Sequence, residues 1–205
     1  MNTSFFLKGI AIGISIAAPV GPIGVLCIQQ TLAAGRLQGY VSGLGAATAD
    51  ACYGMIAGFG LTFVSSFMIR QQMGFRLIGG CFLLFLGIKT FVSTPSDGKA
   101  PLKSPSRVGA YLSTLFLTLT NPMTIVAFAA IFAGFGLVRS QADYVSATLL
   151  VSGVFLGSVI WWLILSNLTG FFREKINAGG LRWVNRISGI IITCFGLISI
   201  ISLSR

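Results

Sequence analysis

"AAPVGPIGVL", residues 17–26, sets Pro19, Gly21 and Pro22 in the middle of a long apolar run. A proline inside a helix removes a backbone donor and clashes with the preceding turn, at a cost of about 3 kcal/mol or more. Apolar sequence continues on both sides of this break. The chain therefore interrupts its first greasy segment where replacement hydrogen-bond partners are scarcest.

Composition identifies the solvent. Of the 205 residues, 55% are hydrophobic and 9% are charged, and the mean hydropathy is +0.90. A soluble domain carries roughly 25% charged residues. Apolar runs near or beyond the ~20 residues that cross a bilayer recur along the whole length, and no polar stretch is long enough for a separate soluble domain. The expected fold is an all-α, polytopic membrane protein with the lipid bilayer as its partner. The 14 Lys and Arg against 4 Asp and Glu would suggest nucleic acid in a soluble protein. Here the cations lie mostly between apolar runs, where they orient membrane segments, so no nucleic-acid partner is expected. Cys27, Cys52, Cys81 and Cys194 stand apart with no C-x-x-C, and read as small core residues rather than disulfide or metal ligands. With no His in the chain, an imidazole metal site is excluded; neither a metal nor a cofactor is expected. The first run has a weak likeness to a signal peptide through Lys8 and "SIAA", but equally apolar sequence follows directly, so it is expected to stay.

Polar breaks divide the chain into six expected spans, Phe5–Ala34, Tyr40–Ile69, Phe75–Val92, Tyr111–Val138, Tyr144–Phe172 and Trp183–Leu203. Tyr40, Tyr111, Tyr144 and Trp183 stand at span starts, where amphipathic rings favour the interface. The longest break, "TPSDGKAPLKSPSR" at 94–107, is a solvated loop. Nine cations (Arg36, Lys89, Lys99, Lys103, Arg107, Arg173, Lys175, Arg182, Arg186) flank the odd-numbered loops, and five (Lys8, Arg70, Arg76, Arg139, Arg205) the other side. That bias places the odd loops in the cytoplasm and both termini outside.

The halves, about 1–93 and 108–205, correspond span by span within a single domain of 1–205. Gly80-x6-Gly87 in the third span matches Gly189-x6-Gly196 in the sixth, each after a Gly-Phe/Leu-Arg start at Gly74 and Gly180. The first span breaks at Pro19–Pro22 and the fourth at Asn121-Pro122. Three spans per half is odd, so the halves must face opposite ways, as in the inverted repeats of many secondary transporters.

Only one acid, Asp50, lies deep in a span; Asp97, Asp143 and Glu174 lie in or beside loops. A carboxylate at mid-helix costs at least ~2.5–3.5 kcal/mol unless it faces a polar interior. Gly43, Ala47, Asp50, Gly54 and Ala57 recur at helical spacing and turn Asp50 toward the bundle. It is either an acceptor that joins helices or, as intramembrane acids usually are, a functional group: a proton carrier or a partner for a substrate cation. Thr114, Thr118, Asn121 and Thr124 share one face of the fourth span. Membrane threonines often bond their own backbone, but Asn121 beside Pro122 offers a donor and an acceptor where the proline frees a carbonyl. Gln29, Gln30, Tyr53 and Trp162 are further candidates, with Trp161 and Trp162 reading chiefly as packing. Gly9-x3-Gly13 packs helices, within or between chains, and leaves a homo-oligomer open.

These residues resemble a known family. "GIAIGISIAAPVGP" resembles the Gly-x3-Gly…Pro-Gly-Pro signature that opens the lysine-exporter (LysE) family of bacterial amino-acid exporters, with Val20 separating Pro19 from Gly21-Pro22. The likeness continues through "GLGAATADACYG" and "LTNPMTIVAF" and covers essentially the whole chain. It implies a multi-pass protein of the bacterial inner membrane, not an enzyme, that exports amino acids or related small metabolites, driven by protons. Carried over by position, Pro19, Gly21 and Pro22 match the first-span break, Asp50 the second-span acid and Asn121-Pro122 the fourth-span break. Together with Tyr53 these form the expected substrate site, Asp50 also serving proton coupling. The alternative is export of a metal cation or other small ion, for which one acid and no His make a poor soft-metal site.

Overall fold

Inside a bilayer an apolar chain satisfies its own backbone most simply by forming helices, and the computed structural model consists of helices and short connections. It describes residues 3–19, 21–59, 67, 70–93, 106–121, 123–128, 144–173 and 175–202. The helices are α1 (Thr3–Ala17), α2 (Pro22–Ala34), α3 (Arg36–Gly58), α4 (Gln72–Val92), α5 (Arg107–Thr120), α6 (Tyr144–Arg173) and α7 (Ala178–Ile201), with a further helical turn and a half at 123–128.

Helix ends differ from the expected span ends for a physical reason. Hydropathy marks the part of a helix that lipid covers, whereas caps mark where hydrogen bonding starts. The α5 helix begins at Arg107 because Ser106 accepts from Gly109 N at 3.1 Å. The α7 helix begins at Ala178, ahead of the expected Trp183, because Asn177 accepts from Gly180 N at 2.8 Å. Between α2 and α3, Gly35 adopts φ +96°, and its N–H closes on Thr31 O at 2.8 Å. A side chain there would be strained.

Helix α4, helix α6 and residues 179–201 of α7 are long and apolar enough to cross a membrane. The α1–α2 pair makes a fourth such span, bent by 81° at its break. Helix α3 falls short in hydropathy because both of its contact faces are built of Gly, Ala, Ser and Asp. Helix α5 is cut short at Asn121. The expected far ends of the second and fourth spans, at 60–66, 68–69 and 129–143, lie outside the described residues, as does the loop at 94–105.

Four helices pack side by side in the order α1, α6, α3, α5, and α4 with α7 forms a pair beside them. Helix α2 reaches from the row to α7, and α4 touches α5. Glycines set the approach. A Cβ on Gly9 would collide with Leu150 O and come within 2.9 Å of Gly153 Cα, and one on Gly13 would collide with Val154 O. The Gly9-x3-Gly13 ridge is thus spent within the chain, against Gly153 and Gly157 of α6, with α1 and α6 parallel. Helices α3 and α6 run antiparallel, Gly43 lying against Trp162 and Gly54 against Val154. Helices α3 and α5 run parallel, Gly45 against Tyr111 and Thr114 and Tyr53 against Leu119. In the antiparallel α4–α7 pair, Gly80 meets Gly196 and Gly87 meets Gly189.

The cysteines need correction: Cys27 is buried, but Cys81 and Cys194 are exposed and Cys52 is partly so. A thiol is apolar enough to face lipid, so apolar surroundings in sequence do not place it in the core. All four are free.

Close approach makes a testable asymmetry among glycines. Gly13→Ala would press a methyl into the α6 backbone and is expected to destabilise by about 1–3 kcal/mol. Gly74→Ala, with nothing within 4 Å of the new Cβ, is expected to be neutral or stabilising. Thermal unfolding in detergent distinguishes the two.

Candidate functional site

The break after α1 leaves two helix ends facing each other. Pro19 has no N–H, so the Ser15 carbonyl loses its helical donor. On the far side Gly21 is the N-cap of α2 with no side-chain acceptor, Pro22 is the first helical residue, and Gly21 O accepts from Val25 N at 3.0 Å. The first-turn amides of Ile23 and Gly24 therefore form the positive end of a helix without a capping group.

Asp50 sits on the α3 face turned to α6 and is 3% exposed. Ser158 Oγ donates to Asp50 Oδ2 at 2.7 Å, and Trp162 Nε1 donates to Ser158 Oγ at 3.1 Å. The three make a directed chain from indole to hydroxyl to carboxyl, one turn of α6 supplying both donors. Asp50 is the one acid among the described residues; Asp97, Asp143 and Glu174 lie outside them.

Asn121 closes α5 and opens the next helical segment. Its N–H bonds to Thr118 O at 3.2 Å, its Oδ1 accepts from Met123 N at 3.2 Å, and its Nδ2 donates to Thr124 Oγ1 at 3.0 Å. In an unbroken helix the Met123 amide would have gone to Leu119 O. That carbonyl is taken instead by the Tyr53 hydroxyl at 2.6 Å, with the Tyr53 ring against Phe128 at 5.3 Å. Thr114 and Thr118 bond back to carbonyls of their own helix, at 2.9 and 2.8 Å, and Thr114 also reaches Ser42 O of α3 at 2.6 Å.

These parts converge. Pro19, Gly21, Pro22, Asp50, Asn121, Thr118, Thr124 and Trp162 line one recess of about 60 Å³. A larger cavity of about 580 Å³ shares Pro19, Gly21, Pro22, Asn121 and Thr124 with it and extends between α5 and the α4–α7 pair. Of the expected site residues, Tyr53 does not line the recess; it serves the break from behind. Pro122 lies outside the described residues. Gln29 and Gln30 lie away from it: Gln29 Nε2 donates to Asn185 Oδ1 of α7 at 3.0 Å, and Gln30 accepts from Ser42.

A LysE type translocator model matches residues 14–202. The chain belongs to the LysE type translocator family. Members of such a family are transporters, not enzymes. This LysE chain is 29% identical over 198 residues to "Putative amino acid efflux protein YcgF" of Bacillus subtilis (strain 168), covering 94% of this chain and 93% of that one. It is also 29% identical over 175 residues to the "Uncharacterized membrane protein YahN" of Escherichia coli (strain K12), covering 83% and 77%. No solved structure matches.

Sequence reading missed Ser158 and undervalued Trp162. The signal was there as Ser158-x3-Trp162-x3-Ser166, a polar stripe at helical spacing in a span otherwise noted for its glycines. Ser166 is the third member in fact, within 3.7 Å of Cys27 Sγ.

The two roles of aromatic and amide at the break separate by mutation. Tyr53→Phe in this LysE-type chain leaves the Leu119 carbonyl without its donor and is expected to destabilise by about 1–3 kcal/mol. Because the hydroxyl does not face the recess, apparent substrate affinity in vesicles is expected to stay within twofold of the parent (about 0.4 kcal/mol at most).

Proposed function

We propose that this chain is a secondary exporter that moves an amino acid or a related small metabolite out of the bacterial cytoplasm across the inner membrane, in exchange for protons. The observation that carries this reading is the convergence of two interrupted helices and one buried acid on a single recess. The recess offers a zwitterion both of its counter-groups. The uncapped amides at the start of α2 attract a carboxylate. The carbonyls freed at the end of α1, with Asp50, meet an ammonium group. Ser158 and Trp162 hold the Asp50 carboxyl in one orientation, so substrate ammonium and proton compete for the same oxygen atoms. The Bacillus subtilis relative's name, an amino acid efflux protein, agrees in substrate class and direction.

The architecture belonging to this reading is one domain of six spans in two inverted halves, with both termini outside. Exchanging the halves turns the α1–α6 contact into α5–α3, and turns the contact of the first span with α7 into that of the fourth span with α4. It leaves α3–α6 and α4–α7 as self-paired contacts, and it converts Gly80–Gly196 into Gly189–Gly87. The chain direction agrees as well. Helix α1 parallels α6, α6 opposes α3 and α3 parallels α5, so the first helix of one half runs opposite to the first helix of the other. Alternating access then amounts to movement of the α4–α7 pair against the four-helix row, with the larger cavity at their junction and the recess opening onto it from the row.

Asp50→Asn in reconstituted vesicles tests the coupling. Proton-driven efflux is expected to fall at least tenfold (about 1.4 kcal/mol), while exchange of labelled for unlabelled substrate continues. Undiminished proton-driven efflux would remove Asp50 from the coupling step. Movement of a metal cation in place of amino acids would replace the substrate class.

A further inference from the structure

The recess beside Asp50, at about 60 Å³, is far smaller than the cavity it adjoins, at about 580 Å³, and suits a charged head group. The rest of any substrate must extend into the cavity of about 580 Å³ that shares Pro19, Gly21 and Asn121 with the recess, a size usual for small-molecule sites. Its wall is largely hydrocarbon, from Leu83, Leu117, Val126, Phe195 and Ile198. Its one charged lining residue among those described is Arg76, one turn into α4. The guanidinium, with five N–H donors, has a single long hydrogen bond to Ser202 O at 3.5 Å. Among the described residues no acid lines this cavity, and Asp50, the one described acid, belongs to the recess.

We propose that the larger cavity is the subsite for the substrate's side chain and that Arg76 sets its charge selectivity, admitting neutral apolar amino acids and rejecting basic ones. The inference rests on the amino-acid export reading above and names its substrate class. An apolar side chain gains from the hydrocarbon wall by leaving water. A lysine or arginine side chain entering the same space brings a second cation toward Arg76 with no carboxylate there to offset it, in a medium that screens charge less than water. Discrimination of this kind comes from a repulsive element as much as from an attractive one.

The test uses the full chain in vesicles, with labelled L-leucine and L-lysine as probes of exchange. The parent protein is expected to prefer leucine. Arg76→Glu is expected to move the leucine-to-lysine ratio toward lysine by about tenfold or more, and Arg76→Lys, which keeps the charge, is expected to preserve it. Retained leucine exchange in Arg76→Glu shows that the variant has folded; should it not fold, Arg76→Gln must shift the ratio in the same direction. Ala127→Phe, which fills part of the cavity, is expected to disfavour leucine relative to alanine. Equal handling of leucine and lysine by the parent overturns the inference while leaving the export reading intact. So does a ratio that Arg76→Glu leaves unchanged, which would make Arg76 a tie between α4 and α7 or a contact for lipid phosphate. Failure of the parent to exchange any amino acid overturns both.

Discussion

A backbone amide or carbonyl that loses its helical partner inside a bilayer has no water to turn to, and this constraint governs the centre of the molecule. At the second break every displaced group described has found a protein partner: Met123 N goes to the Asn121 side chain and Leu119 O to the Tyr53 hydroxyl. The first break is answered less completely. Pro22 removes one donor from the start of α2, and among the described residues no side chain caps the next two. A helix start in that condition is a defect unless something polar visits it, and a carboxyl and an amide line the same recess. One interruption is a finished joint, the other an open one.

Glycine packing divides the helices into a tightly fitted row and a tightly fitted pair. Where backbones touch, as in α1 on α6 and α4 on α7, there is no side-chain layer to repack, and such contacts resist gradual deformation. The boundary between row and pair is different. There the larger cavity opens between α5 and the α4–α7 pair, Gly79 of α4 meets the Thr120 carbonyl of α5 and Phe82 packs on Phe116 beside it, and α2 reaches α7 through a polar contact between Gln29 and Asn185. Contact along that boundary is sparser than within the row or the pair, so relative movement is expected there first.

Much of this was legible in the order of residues. Pro19, Pro22 and Asn121 announce interruptions because their chemistry forbids a regular helix or favours a cap, whatever surrounds them. Asp50 announces itself because an acid among Gly and Ala at helical spacing has only an interior to face. What could not be read were partnerships across the fold. Tyr53 was a candidate for the site, but its hydroxyl belongs to a carbonyl that only the bend of another helix sets free. Ser158 and Trp162 join Asp50 because α3 and α6 run antiparallel at that height, which no local pattern specifies. Cys81 and Cys194 looked interior because hydropathy does not distinguish a helix face on protein from a face on lipid. Helix α3, read from sequence as part of the span Tyr40–Ile69, carries little hydrocarbon over its described length, for the same reason that it packs so well on both sides.

The α1–α6 contact has a consequence for how the chain is made. The glycine ridge of α1 enters the bilayer more than a hundred residues ahead of the α6 backbone that fits it. At translation rates of about 5–20 residues per second, α1 waits roughly ten seconds or more in lipid with its smallest, least lipophilic face unmatched and an interrupted segment just behind it. Helix α5 is spared this delay, since α3 already stands in place when it arrives. The two halves of the chain therefore have unequal histories: the first is inserted as an unfinished object, and the second completes both itself and its predecessor. Assembly must be late and concerted, and the early helices depend during that interval on whatever in the membrane shelters a polar break until its partner is made.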